Sequence, residues 1–140
     1  MRWKSSIILG LLGLISLVLV SFKSPQENYS PQFRIAEQTS LYKKGKQLFE
    51  KNCQACHYIG MDKVATAPAL GGITTRRDQE WLYAYTRDSQ KMSREGDSIA
   101  LQLRSENWGA MFSFPNLTDN DLKAIYTFVE ERYLESKSNN

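Results

Sequence analysis

Histidine occurs once in this chain of 140 residues, and cysteine twice. A single imidazole excludes any site built on two histidines. Two cysteines exclude a multi-disulfide scaffold and, within one chain, a four-cysteine zinc or iron–sulfur centre. No segment alternates with the period of a strand, and no internal repeat or low-complexity tract is present. A charge excess is lacking as well. The formal net charge is +3, and Arg2, Lys4 and Lys23 account for it. From Pro25 onward the basic residues balance the 15 acidic ones, so the body of the chain is formally neutral. A neutral body has no electrostatic footprint for nucleic acid, and none is expected as a partner. Paired carboxylates and a nucleophile–base set are also missing, so the chain does not read as an enzyme. What is there is ordinary for one globular domain: 41% hydrophobic and 24% charged residues.

The N-terminus departs from that average. Arg2 and Lys4 precede an apolar run from Ile7 to Val20, broken only by Gly10, Gly13 and Ser16. A positive start followed by such a stretch marks an export segment. The run has no polar face, which argues against a core helix. Leu19 and Phe22 spoil the small-x-small registers around Ser21 and Ser24 where a signal peptide would be cut. Counting Ser21 and Phe22, the run falls just short of the ~17–25 residues of a membrane-spanning helix. Residues 1–24 are therefore expected to be a cleaved signal peptide or a membrane anchor through residues 5–22. In both cases positive charge before the run leaves the rest outside the cytoplasmic membrane, in the periplasm. No cysteine follows the run, so a lipid anchor is not indicated.

Residues 25–38 hold two prolines with Asn, Gln and Ser and read as a linker. From Thr39 the pattern turns helical. Leu41, Gly45, Leu48, Phe49 and Asn52 recur at spacings of three and four. Tyr58 to Thr75 reads as loop. Asp78 to Arg87 and Asp97 to Glu106 read as two further helices, and Trp108 to Asn116 as loop. Thr118 and Asp121 fit a capping box that starts a last helix, with Leu122, Ile125, Tyr126, Phe128 and Val129 as its apolar face. The fold class is all-α, with one domain over residues 39–136 and a tail at 137–140.

The chemistry sits in Cys53-Gln54-Ala55-Cys56-His57. This C-x-x-C-H run is the attachment signature of c-type haem. On one helical turn both thiols share a face and reach the two vinyl groups of one porphyrin, and the next residue brings an imidazole under the iron. A redox dithiol needs a βαβ context that the helical flanks do not supply. A zinc site lacks its remaining ligands. One covalently attached haem c is the expected cofactor, held by Cys53 and Cys56, with His57 as an axial iron ligand. With no second histidine, methionine is the next choice for the sixth ligand, and Met61, Met92 and Met111 are the candidates.

From Leu41 to Leu134 the chain resembles the class I c-type cytochromes, in particular small bacterial monohaem members. Gly45 and Phe49, before Cys53, match the positions where the N-terminal helix of that family crosses the C-terminal one, and Ile125 and Phe128 match the partner positions. The resemblance therefore implies a cytochrome c-like fold with crossing terminal helices. Ala67-Pro68-Ala69-Leu70 looks like the family's G-P-x-L segment, with Ala67 where glycine is common. It implies that the Pro68 carbonyl receives the proton of the proximal histidine's free ring nitrogen. Met111, followed by Phe112-Ser113-Phe114-Pro115-Asn116-Leu117-Thr118, stands at the family's position for the distal ligand. Phe112 replaces the proline often found there. Met92 and an open sixth site are the alternatives.

The resemblance implies a carrier of single electrons between redox proteins, such as a quinol-oxidising complex, a terminal oxidase or a periplasmic dehydrogenase. The rival is a haem c sensor or small haem enzyme with an open or labile sixth ligand. Trp81, Tyr83, Tyr85, Trp108, Phe112 and Phe114 are expected to wall the haem or fill the core. Charge is uneven along the neutral body. Lys43, Lys44, Lys46 and Lys51 stand near the start of the domain, and Asp119, Asp121, Glu130, Glu131 and Glu135 near its end. Two oppositely charged helices would give the molecule a dipole able to orient an encounter.

Overall fold

A computed structural model of the chain describes residues 31–138. The expected export segment over 1–24 lies outside the described residues, as do the last two residues of the tail. The described residues form five helices: α1 (Pro31–Asn52), α2 (Ile73–Arg76), α3 (Gln79–Arg94), α4 (Ser98–Ser105) and α5 (Asp119–Ser138). There is no strand among the described residues. α1 packs along α5, α2 touches α5, and α3 packs on α4.

α1 includes residues 31–38, which the sequence assigns to a linker. Its later residues are tied to α5 and within the helix. Gln38 donates to Glu131, Lys123 pairs with Glu37 at 3.7 Å, and the Thr39 hydroxyl returns to the Ile35 carbonyl at 2.8 Å. Residues 35–40 are all exposed. A polar composition that reads as a linker is here that of an exposed helix joined to its neighbour by side-chain bonds. Further on, the two helices meet at Gly45, where Ala124 and Phe128 of α5 come against the α1 backbone.

The core lies between these helices and the segment after the Cys–His turn. Phe49, Met61, Leu122, Phe128 and Val129 are its largest fully buried side chains. Each large side chain removed from water contributes about 1.5–3 kcal/mol. Phe128 sits between Tyr42 and Phe49, with ring centroids 5.2 and 5.4 Å away. Tyr126 joins α5 to α3. Its hydroxyl is 2.7 Å from that of Thr86, and its ring stacks on Tyr83 at 5.9 Å. Burial pushes the Tyr126 phenol up to about 12, against the opposing pull of Thr86.

α3 and α4 each begin at an acidic cap. The Asp78 carboxylate accepts the Trp81 amide at 2.8 Å, and that of Asp97 accepts the Ala100 amide at 2.8 Å. α3 runs beyond the expected end at Arg87. It leaves helical geometry at Asp88 (φ −158°, ψ 79°) and then continues to Arg94.

Before α5 the capping box is complete. The Asp121 amide donates to the Thr118 hydroxyl at 3.2 Å, and the Thr118 amide donates to the Asp121 carboxylate at 3.0 Å. Lys44 of α1 reaches the other carboxylate oxygen at 2.8 Å. The Lys44 ammonium and the Thr118 donors together hold the Asp121 carboxyl down at about 2. A depressed carboxylate stabilises the fold fully above its ordinary value of 3.8 and loses that contribution as pH falls towards 2. Thr118→Ala is expected to cost about 1 kcal/mol at neutral pH. Asp121→Asn should narrow the loss of stability between pH 4 and pH 2 seen in acid melts of the parent. A parent and variant with parallel acid profiles would show that another carboxylate governs this range.

The same Lys44–Asp121 pair alters the expected dipole. The basic and acidic stretches meet across the helix crossing, and Lys46 turns to Glu50 at 3.8 Å within α1. Arg87 of α3 reaches Asp119. Opposite charges that face each other cancel at a distance, so the fold weakens a charge separation that the linear sequence suggests.

Candidate functional site

The motif residues occupy the turn that ends α1. The Cys53 and Gln54 amides both donate to the Phe49 carbonyl, at 2.8 and 3.0 Å, and the His57 amide donates to the Cys53 carbonyl at 3.0 Å. One tight turn thus carries both thiols and the imidazole. Cys53 is buried, Cys56 is half-buried, and the two are not joined in a disulfide.

The loop after the turn folds back onto it. The Ala67 amide donates to the Cys56 carbonyl at 3.0 Å, and the Gly71 amide donates to the Met61 carbonyl at 2.7 Å. These bonds bring the Pro68 carbonyl to 3.0 Å from His57 Nδ1. A carbonyl only accepts, so Nδ1 carries the ring proton and Nε2 keeps its lone pair free. Burial lowers the His57 pKa, partly offset by the Pro68 bond. The ring is therefore held neutral, the form that binds a metal. Ala67 does not disturb this arrangement. Among the described residues only Met61 and Asn107 are non-glycine residues with positive φ, so position 67 has no need of glycine.

The donor set fits a covalently attached haem and does not fit its rivals. Burial, with Cys56 adding to it, pushes the Cys53 thiol up to about 12. That burial opposes the thiolate a redox dithiol works through, and a zinc site lacks its remaining ligands. A thioether is uncharged and is at home in an apolar site. Among the described residues no cluster of three His, Cys, Asp or Glu side chains could hold a metal ion.

The three methionines differ in setting. Met61 is fully buried in the same core cluster as Phe49 and Phe128, with a left-handed backbone (φ 66°). Its side chain is core packing. Met92 is half-buried in the second part of α3, and its carbonyl accepts the Asp97 amide at 3.0 Å. Met111 is half-buried in the irregular segment between α4 and α5, and its carbonyl accepts the Ser89 hydroxyl at 3.3 Å.

The aromatic residues divide in the same way. Tyr83 is buried, and Trp81 stacks on Tyr85 at 4.7 Å while its indole donates to Asp97. Phe112, 72% exposed, fills no core. Sequence reasoning missed the contacts that Arg87, Asp88 and Ser89 make with the Met111 segment. An Asp-Ser pair, favoured at helix caps, is the available signal at the point where periodicity ends the second helix.

None of the curated proteins matches the chain. Among solved structures, the cytochrome c from Rhodothermus marinus is similar, with a TM-score of 0.60 and 26% identity over 69% of this chain and 80% of that one. An engineered Rhodothermus marinus cytochrome c bound to a carbene intermediate is similar at a TM-score of 0.57 and 25% identity, with the same coverage. The cytochrome c family model matches residues 42–132. With that match spanning well over half of its length, the chain belongs to the cytochrome c family and carries a covalently attached haem c.

Proposed function

We propose that the protein is a monohaem electron carrier acting outside the cytoplasmic membrane, with Cys53 and Cys56 as the thioether residues and His57 and Met111 as the axial ligands. The observation that carries this reading is the His57 Nδ1–Pro68 carbonyl contact of 3.0 Å, which aims a neutral, fixed tautomer from the turn that bears both thiols. When bound, the haem supplies one-electron cycling of its iron. The chain's own residues do the rest. The thioethers prevent loss of the cofactor, His57 supplies nitrogen, and the soft Met111 thioether favours the reduced state and raises the potential. A filled sixth position leaves no room for substrate at the metal, which is why we assign no enzymatic role.

The apolar N-terminal run supports an extracytoplasmic location in the periplasm, with the protein either released or tethered through residues 5–22. Its partners are redox proteins: a quinol-oxidising complex, a terminal oxidase or a periplasmic dehydrogenase. N-terminal sequencing of protein matured in an exporting host separates a cut signal peptide from a retained anchor.

The visible spectrum tests the ligation. The oxidised parent should show the weak red absorption band of a methionine-ligated ferric haem, and Met111→Ala should lose it while keeping covalent haem. Retention of the band in Met111→Ala, with its loss in Met92→Ala, would move the ligand to Met92. The engineered relative that holds a carbene favours a second reading, in which the sixth position opens to a small ligand. A parent without the red band would support it.

A further inference from the structure

Helix α3 breaks where it meets the segment that carries Met111. Asp88 is neither Pro nor Gly, yet its backbone leaves helical geometry (φ −158°, ψ 79°). Its Oδ1 accepts the Lys91 amide at 2.9 Å, the N-cap bond of a helix starting again. In an unbroken helix the Lys91 amide would donate to the Arg87 carbonyl. Here that carbonyl is released and accepts the Phe114 amide at 3.0 Å. The same Asp88 Oδ1 accepts the Ser113 hydroxyl at 3.2 Å. Beside it Ser89, 4% exposed, donates its hydroxyl to the Met111 carbonyl at 3.3 Å. Arg87 Nε donates to the Leu117 carbonyl at 3.0 Å. Consecutive residues of α3 thus grip the irregular segment at Met111, Ser113, Phe114 and Leu117.

We infer that Asp88 is a positioning residue for the iron's sixth ligand. By capping the second part of α3 it frees the Arg87 carbonyl, and by holding Ser113 it anchors the turn after Met111. The break in the helix therefore sets how firmly the Met111 thioether is presented. This rests on the assignment of Met111 as a ligand. The physical link is a competition. An exogenous ligand displaces the thioether only if the segment yields, so its apparent affinity reports the fraction of molecules in which the segment has let go. Hydrogen bonds to a charged carboxylate contribute more than neutral ones, and their loss is felt as a larger open fraction.

Imidazole titration of the ferric holoprotein, followed by loss of the red band, tests the inference, with the reduction potential measured alongside. Asp88→Ala is expected to bind imidazole about tenfold more tightly than the parent and to show a lower potential. Asp88→Asn keeps an acceptor at Oδ1 but loses the charge, and should fall between the parent and Asp88→Ala. An Asp88→Ala protein that melts lower but titrates like the parent would overturn the inference, because Asp88 would then act on stability alone. If Asp88→Ala yields no holoprotein, Ser113→Ala decides. It removes one bond from an exposed residue, spares the Lys91 cap, and should tighten imidazole binding about threefold. Parental affinity in Ser113→Ala would then sink the proposal. Failure of the underlying assignment looks different: Met111→Ala would keep the red band.

Discussion

His57→Ala is expected to yield no native holoprotein. The chain has one histidine, so no other imidazole can take its place. The structure adds why even a nearby nitrogen ligand would fail. His57 is fixed by its position in the turn, by its amide bond to the Cys53 carbonyl at 3.0 Å, and by the Nδ1 bond to Pro68. A ligand held at both backbone and ring presents Nε2 along one direction only. Cys53→Ala and Cys56→Ala should each lower holoprotein yield sharply, leaving at most one thioether. The measurement is the reduced visible spectrum of protein matured in an exporting host. A His57→Ala protein with a low-spin, six-coordinate reduced spectrum would mean that the iron is held from another residue. Normal yield and an unchanged reduced band in both cysteine variants would contradict thioether attachment at these positions.

Gly45→Ala should be the most damaging change away from the site. A Cβ at position 45 would lie 1.9 Å from the Ala124 carbonyl oxygen and 2.8 Å from Phe128 Cβ. Neither the oxygen nor the Cβ belongs to a flexible side-chain end that can swing aside. The helices must part by roughly 1 Å or more to restore normal contact, which loosens the ring cluster of Tyr42, Phe49 and Phe128. Two effects oppose each other here. Alanine is the better helix former by about 1 kcal/mol, while overpacking costs about 1–3 kcal/mol and more where backbone must move. The clash with backbone puts the second effect ahead. Thermal unfolding of the holoprotein should show a Tm lower by about 10 °C or more. Gly109→Ala is the control: a Cβ there meets nothing within 4 Å, and the backbone is not left-handed. It should leave Tm unchanged or raise it slightly. Equal Tm values for Gly45→Ala and Gly109→Ala would mean that α1 and α5 do not cross as closely as the structure places them.

Features that are local in the chain are legible in its sequence. The C-x-x-C-H turn needs only one helical turn to bring its groups together. The Thr118–Asp121 capping box closes over a separation of three residues, and the acidic caps at Asp78 and Asp97 act on the next turn. The positions of α4 and α5 and the apolar face of α5 follow from periodicity, whereas the short α2 lies at the end of a stretch that reads as loop. The Gly45 crossing is readable through family resemblance, because a glycine at that offset from the cysteines has a known partner helix.

Other features depend in part on groups far apart in sequence, which local patterns do not encode. Residues 37 and 38, in a stretch that reads as linker, meet Lys123 and Glu131 of α5 in the folded molecule. The lysines of α1 do not stand alone as a charged face, because the crossing sets Asp121 against Lys44. α3 continues past Arg87 because Asp88 can cap a second start while the Arg87 carbonyl turns to Phe114. Where the residue's intrinsic preference is weak, about a kilocalorie or less, its surroundings in the folded molecule decide its structure. The cofactor chemistry follows from the chain alone, since covalent attachment and one imidazole are properties of residues one turn apart. The grip on the Met111 segment exists only in the folded molecule, because it is made of bonds between a broken helix and a loop more than twenty residues downstream.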